Sequence, residues 1–156
     1  MEDTYLVRAK NVTSYHTKPK IRWLTGLLVP VRGYDEGSFA ISEHGYSIDR
    51  ESVINIDTLG RCTGLKDKNG TLIFEGDILK CHIAGRNRDE TFVSIVIWDS
   101  TRFELSDEKL ERTFVDLHGK RTSQVGIESV LGFVMSDYHT FEIIGTIHDN
   151  PELMEV

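Results

Sequence analysis

The sequence predicts a mainly β fold, a β-rich α+β protein with many short strands and tight connections. Apolar runs rich in β-branched and aromatic residues recur along the chain, and glycines lie between them. The chain has 13 glycines and 3 prolines, which is typical of a β-rich domain with frequent turns. Asn69-Gly70, between two apolar runs, is the strongest short-range signal of a β-hairpin.

The first part of the chain is predicted to hold short strands joined by polar segments. The candidate strands are residues 5–9, 21–31, 39–41, 46–48 and 53–56. Gly26 interrupts the second of them, so we expect a break or a bulge there. Residues 11–20 are polar, end in Lys-Pro-Lys and are predicted to form a loop.

The later strands are denser and more apolar. They are predicted at residues 72–74, 79–83, 92–98, 103–105 and 141–147. Residues 92–98 are apolar at nearly every position, which indicates a central strand. Residues 84–90 are polar and are predicted to be a loop. One or two short helices are expected: residues 106–115 carry a capping pattern, 127–135 fit a helix or a strand, and 150–154 predict one helical turn.

Residues 63–80 contain two predicted turns. Asn69-Gly70 predicts a type I′ turn, because that turn needs positive φ at both central residues. In Glu75-Gly76-Asp77, Gly76 permits positive φ, and the Asp77 carboxylate is expected to accept from backbone N–H groups two residues further on. Structural roles in turns are predicted for Gly64, Asn69, Gly70, Gly76, Asp77, Gly145, Asn150 and Pro151.

The length of 156 residues predicts a single domain over 1–156. A shift in composition suggests a subdivision into residues 1–58 and a denser strand region at 59–156. No apolar stretch is long enough to span a membrane and no secretory signal is visible, so we expect a cytosolic protein. Cys62 and Cys81 are therefore expected to be small core residues and not a disulfide.

The formal net charge of −7 opposes generic nucleic-acid binding, which gains its affinity from lysine and arginine. A local patch is still compatible with this charge. Arg86, Arg88 and Trp98 are the possible interaction surface, although solvated charges and a core tryptophan are the simpler interpretation.

No catalytic, cofactor-binding or metal-binding residue is predicted. None of the six histidines lies at metal-ligand spacing from another histidine or a cysteine. A glycine-rich phosphate loop and a Gly-x-Ser-x-Gly motif are both absent from the sequence. We therefore expect a protein that is not an enzyme and that needs no cofactor.

Two segments resemble a known family. Residues 63–70, followed by residues 73–78, are similar to the signature of the YopX family of phage and prophage proteins. Residues 143–153 resemble the closing motif of that family, and Val96-Ile97-Trp98 resembles its central strand. The resemblance implies a small SH3-like barrel with extra strands, and a phage protein in the bacterial cytoplasm. It implies no catalytic residues, because the family has no established activity.

These observations favour a non-enzymatic binding or assembly module with a protein partner, which includes a second copy of the chain. The alternatives are a nucleic-acid-binding module in phage DNA metabolism or regulation, and an acidic anti-host factor that mimics DNA. A hydrolase with paired carboxylates ranks last. The interaction surface is expected in residues 84–91 and 99–140.

Overall fold

The mainly β architecture is confirmed by a computed structural model. The residues that it describes are 5–12, 21–31, 38–43, 48, 52–85, 88–98, 100, 102–106, 124–126 and 139–154. Within them, the strands form two five-stranded antiparallel sheets. Helical structure in the same residues is limited to short 3-10 segments, such as Ile56–Thr58 and Pro151–Met154.

Ten strands lie in the described part of the chain. They are β1 (Val7–Lys10), β2 (Trp23–Pro30), β3 (Phe39–Ser42), β4 (Gly60–Lys66), β5 (Leu72–Phe74), β6 (Asp77–Gly85), β7 (Arg88–Trp98), β8 (Phe103–Ser106), β9 (Gln124–Gly126) and β10 (His139–Thr146). The first sheet has the order β3-β2-β1-β4-β5, and the second has the order β10-β6-β7-β8-β9.

The chain divides into two compact units, Met1–Gly64 and Leu65–Val156. The division falls within β4, so that most of this strand belongs to the first unit and its end belongs to the second. The predicted subdivision after residue 58 stays a prediction. Neither sheet is closed among the described residues, and the SH3-like barrel is therefore not confirmed.

The first unit is built on the antiparallel pairing of β1 with β2. Ala9 lies opposite Leu24 in this pairing, and both side chains are fully buried. Side chains opposite each other on neighbouring strands point to the same face, so this pair marks the core face of the sheet. The core of the unit contains Ala9, Leu24, Ile41 and Ile54, with Val7, Phe39 and Leu59 packed against it.

Strand β2 runs without interruption through Gly26, so the predicted break was wrong. The glycine is needed because of a close backbone approach. A Cβ atom at Gly26 would lie 2.2 Å from the carbonyl oxygen of Ser42, at the point where β2 begins to pair with β3. The absence of a side chain thus lets the two strands come together.

The second unit is centred on β6 and β7, which confirms the central strand predicted at residues 92–98. Leu79 and Cys81 point to the same core, as their spacing predicts. The core contains Ile73, Leu79, Cys81, Val96, Leu105 and Phe141, with Leu65, Phe92, Phe103 and Ile143 packed against it. Cys62 and Cys81 are buried free thiols, one in each unit.

The polar loop predicted at residues 84–90 was wrong. Strand β6 continues to Gly85 and β7 begins at Arg88, and these two residues pair, while residues 86 and 87 lie outside the described chain. Three predicted elements lie wholly or mostly outside the described residues. Only residue 48 of the predicted strand 46–48 and residue 106 of the predicted helix 106–115 are described, and none of 127–135 is. Ser106, where that helix was expected to begin, ends β8 instead.

The hairpin between β4 and β5 also differs from the predicted type I′ turn. Gly70 N donates to Asp67 O at 2.9 Å, which makes Lys68 and Asn69 the central residues. Gly70 follows with φ of +83°, whereas Asn69 has no positive φ. This arrangement matches a type I turn followed by a left-handed glycine, the usual form of a three-residue hairpin loop.

Candidate functional site

The surface predicted from Arg86, Arg88 and Trp98 stays a prediction. Arg86 lies outside the described residues, while Arg88 and Trp98 are the first and last residues of β7. A strand rises about 3.3 Å per residue, so the two residues are roughly 33 Å apart. Trp98 packs edge-on against Phe103, with 4.8 Å between ring centroids. It therefore contributes to a half-buried aromatic pair at the end of the β7–β8 hairpin.

The signature segment is organised around Asp67. Its Oδ1 accepts hydrogen bonds from the backbone N–H groups of Asn69 and Thr71, both at 2.9 Å. Its Oδ2 lies 3.4 Å from the N–H of Ile143 in β10. Burial raises the pKa of Asp67, but hydrogen bonds from Thr71, Asn69 and Ile143 outweigh that effect and hold the pKa below 3.8. The carboxylate is thus a structural acceptor within the second unit.

Backbone hydrogen bonds join the signature segment to β10 and to the closing motif that follows it. Lys68 N donates to Phe141 O at 2.8 Å, and Ile147 N donates to Gly76 O at 2.9 Å. Gly76 has φ of +83°, and its own N–H donates to Val96 O. The two segments that carry the family resemblance are therefore parts of one packed structure.

The Asp77 side chain binds the chain segment that precedes its turn. Asp77 is fully buried, and its Oδ2 accepts from the backbone N–H of Phe74 at 2.8 Å. The accepted hydrogen bond comes from three residues earlier in the chain. Gly64 has φ of +77° and lies within β4.

Gly145 lies inside β10 and not in a turn. It does not have positive φ; instead, a Cβ atom there would lie 2.6 Å from Asn150 Oδ1. The pairing of β10 with β6 shifts register between Ile143 and Gly145. Pro151 is the first residue of the last 3-10 segment, directly after Asn150. Gly145 therefore provides space for Asn150.

An ion pair with one buried partner lies at the start of β8. Glu104 is fully buried, and its Oε1 accepts from Arg102 Nε at 2.8 Å and lies 2.7 Å from Arg102 Nη2. Glu104 Oε2 is also buried and has no hydrogen-bond partner in the described part of the chain. A buried carboxylate is costly unless it is paired, so this side chain depends on Arg102.

The most unusual surface lies on the face of the β1–β2 ribbon that points away from the core. Lys10 is opposite Trp23, and Arg8 is opposite Thr25. The guanidinium carbon of Arg8 lies 4.8 Å from the centroid of the Trp23 ring, and Lys10 Nζ lies 5.3 Å from it. Both distances are within the range of cation–π attraction. Two positive charges are thus held over one indole.

Two exposed apolar residues lie next to the end of this ribbon. Asn11 N donates to Arg22 O at 3.1 Å and Arg22 N donates to Asn11 Oδ1 at 2.8 Å, and Val12 and Ile21 are the next residues outward along the two segments. Val12 is 39% exposed and Ile21 is 58% exposed. We call the surface formed by Arg8, Lys10, Val12, Ile21 and Trp23 the ribbon surface.

Exposed apolar side chains are concentrated in the first unit. The large hydrophobic residues that are exposed in the described chain are Tyr5, Val12, Ile21, Leu28, Ile48 and Ile56 in the first unit and Ile147 in the second. Scattered exposed apolar residues are normal, but a group of them beside charged and aromatic residues is typical of an interaction site.

Sequence reasoning missed the ribbon surface. It placed the possible interaction surface at Arg86, Arg88 and Trp98. The available signal was the alternation Arg8-Ala9-Lys10 at the end of the predicted strand 5–9, which places both cations on one face if the strand extends by one residue. The sequence could not show that Trp23 lies opposite Lys10, because register depends on the fold.

Neither a metal site nor a membrane span is indicated by the described residues. Among them, no group of three or more His, Cys, Asp or Glu side chains could hold a metal ion. No helix in the same part of the chain is long and apolar enough to cross a bilayer.

Comparison with known proteins identifies the family. The family described as YopX protein matches residues 22–155, which is most of the chain. The chain belongs to the YopX family. The match to YopX includes the Asp67 hairpin and β10, whereas Arg8, Lys10, Val12 and Ile21 precede the matched residues.

One similar solved structure is the crystal structure of protein EF1440 from Enterococcus faecalis. It shares 21% sequence identity with this YopX-family chain, and the match covers 95% of this chain and 97% of that one with a TM-score of 0.45. A likeness at this level carries no functional information. No curated protein matches the chain.

Proposed function

We propose that this YopX-family protein is a non-enzymatic binding module that engages a protein partner through the ribbon surface. The observation that carries the proposal is the pair of exposed apolar side chains of Val12 and Ile21, in the same two chain segments as Arg8, Lys10 and Trp23. Protein interfaces commonly combine aromatic residues and arginine with an apolar centre. The SH3-like barrel, the phage or prophage origin and the bacterial cytoplasmic location belong to the same proposal.

A protein partner is favoured over a nucleic acid for two physical reasons. The net charge of −7 repels a phosphate backbone outside any local patch. The two cations lie over the Trp23 ring, which leaves less of the indole for a base to stack on. A nucleic-acid ligand remains the second candidate, because a basic and aromatic surface is present.

Affinity capture from bacterial cells that carry the gene tests the proposal. Tagged wild-type protein is compared with Ile21→Ser, which alters the most exposed apolar residue of the ribbon surface. The matched control is Ile147→Ser, which changes an exposed isoleucine of the second unit. We expect a protein partner that is lost in Ile21→Ser and retained in the control. Equal recovery with both variants would contradict the proposal.

A further inference from the structure

We propose that Asn69 is a site of spontaneous deamidation, that Asp67 restrains the reaction in the folded protein, and that the product loosens the hairpin between β4 and β5. This covalent modification lies in the second unit and is independent of the ribbon surface. It gives the Asn69-Gly70 pair a chemical property beyond its place in the turn.

The Asn69-Gly70 pair is labile for a steric reason. Asparagine is a thermolabile residue, because the backbone nitrogen of the next residue can attack its side-chain carbonyl carbon. Glycine at that next position has no Cβ to hinder the approach, and a Cβ built at Gly70 meets no atom of the described chain within 4 Å. Asn69 and Gly70 are both exposed to water. Asn55 is exposed as well, but the bulkier Ile56 follows it, so Asn69 is expected to react first.

The reaction consumes one water and releases one ammonia. A base removes the proton from the Gly70 backbone nitrogen, which then forms a bond to Asn69 Cγ. The Cγ–Nδ2 bond breaks, and Nδ2 takes up a proton from water and leaves as ammonia. Water then opens the cyclic imide. Cleavage of the bond from nitrogen to Cγ leaves aspartate at position 69, and cleavage of the bond to the backbone carbonyl carbon leaves isoaspartate.

Asp67 holds both reacting groups. Its backbone oxygen accepts from Gly70 N at 2.9 Å, and its Oδ2 accepts from Asn69 Nδ2 at 3.3 Å. Removal of the Gly70 proton would break the first hydrogen bond and create a negative charge near the Asp67 carboxylate. The reaction therefore requires the turn to open locally, and the folded hairpin slows it.

The product changes the hydrogen-bonding capacity at position 69. The Asn69 amide donates to Asp67 Oδ2, whereas an ionised carboxylate can only accept. Deamidation thus replaces a hydrogen bond by the repulsion of two negative charges. Asp67 Oδ2 also lies 3.4 Å from Ile143 N in β10, so a displacement of the Asp67 side chain weakens that contact. The modified hairpin is therefore held less firmly to β10.

Peptide mapping by mass spectrometry tests the restraint. Purified full-length protein is incubated in mildly alkaline buffer, and the fractions of asparagine, aspartate and isoaspartate at position 69 are followed over time. In denaturant, we expect Asn69 to react well ahead of Asn55. In the folded protein the reaction should be about tenfold slower or more, since the lost hydrogen bond raises the barrier. Asp67→Ala should accelerate it several-fold, because this change removes the side-chain acceptor and its charge.

The matched control is Arg102→Ala, which removes an ion pair elsewhere in the second unit and should leave the deamidation rate of the folded protein unchanged. Circular dichroism during the incubation shows whether each variant is folded, and Asp67→Asn gives the same test if Asp67→Ala does not fold. Equal acceleration by the changes at Asp67 and Arg102, or equal rates in folded and unfolded wild type, would overturn the restraint. An Asn69 no more reactive than Asn55 in denaturant would overturn the site itself.

Two variants test the consequence of the reaction. Asn69→Asp reproduces the aspartate product, and Asn69→Ser removes the amide without adding a charge. We expect a lower urea midpoint for Asn69→Asp than for Asn69→Ser, with a difference that shrinks in added salt because charge repulsion is screened. Equal midpoints would overturn the loosening of the hairpin.

Discussion

The close approach of β2 and β3 depends on the absence of a side chain at Gly26. We predict that Gly26→Ala destabilises the protein by about 3 kcal/mol or more, because the added methyl would meet the Ser42 carbonyl oxygen at 2.2 Å. Urea denaturation measures the change in the free energy of unfolding.

Gly70→Ala is the control for Gly26→Ala, because it measures the cost of a positive φ at a non-glycine residue without any steric clash. No atom lies within 4 Å of a Cβ at Gly70, but its φ is +83°. A non-glycine residue in that conformation costs about 1–2 kcal/mol. If Gly26→Ala were no more destabilising than Gly70→Ala, the close contact with Ser42 would not exist in solution.

The Arg102–Glu104 ion pair is asymmetric, since Glu104 is buried and the Arg102 side chain is 55% exposed. We predict that Arg102→Ala destabilises the protein by about 1–3 kcal/mol, because it leaves a buried carboxylate without its donor. The exposed guanidinium keeps this effect below that of a fully buried pair. Thermal or urea unfolding of the variant measures it.

A double-mutant cycle with Glu104→Gln tests the origin of that cost. The neutral amide removes the buried charge, so Arg102→Ala should cost less in the Glu104→Gln background than in the wild type. The same cost in both backgrounds would mean that Arg102 stabilises the protein without the ion pair.

At the scale of elements, the hairpin between β4 and β5 is connected to β10 by a carboxylate. Asp67 accepts from Asn69 and Thr71 in its own turn and lies within reach of the Ile143 N–H. We predict that Asp67→Asn destabilises the protein by about 1–3 kcal/mol at neutral pH, because an amide is a weaker acceptor and its NH₂ group cannot accept at all.

The pH dependence of the Asp67 effect follows from its pKa, which the hydrogen bonds hold below 3.8 in the folded protein. A group with a lowered folded pKa adds stability that is fully present above the unfolded pKa and is lost as the pH falls through the folded pKa. The stability difference between wild type and Asp67→Asn should therefore be constant near neutrality and shrink below about pH 4. Urea midpoints at a series of pH values measure it. A difference that does not change down to the lowest pH at which the protein folds would contradict the prediction.

Local patterns predicted many of the elements, and long-range pairing decided the rest. Strand β3 and the central part of β7 were predicted because apolar and β-branched residues mark buried strands wherever they pair. The end of β6 and the start of β7 were not predicted. Gly85 and Arg88 are strand residues because their backbones pair, and the polar sequence around them does not indicate such pairing. Strand β4, with the sequence Gly-Arg-Cys-Thr-Gly-Leu-Lys, was missed for the same reason: its partner β1 lies far away in the sequence.

In the candidate site too, local backbone features were predicted from the sequence and contacts between distant segments were not. Positive φ at Gly64, Gly70 and Gly76 agrees with their expected use in backbone geometry. The ribbon surface was not predicted, because it exists only when Lys10 and Trp23 are in register. Strand register decides which charged side chain lies beside an aromatic ring in a sheet, and the distance between the two residues along the sequence does not.

At the scale of the whole molecule, each of the two units has its own apolar core. Leu24 is fully buried in the core of the first unit, and Leu79 is fully buried in that of the second. Units with separate cores can open separately, because a local loss of packing need not spread. The ribbon surface lies on the first unit, so the stability of that unit determines how much of the proposed binding surface is present.

We predict that Leu24→Ala weakens the first unit selectively. The loss of a buried leucine costs about 2–5 kcal/mol, and native-state hydrogen exchange should show that loss at the amides of β1 and β2. Amides of β6 and β7 should keep their wild-type protection, while Leu79→Ala should have the reverse effect. If Leu24→Ala lowered the protection of both sheets equally, the chain would unfold as one cooperative unit, and a change in the second unit would then affect binding as strongly as one in the first.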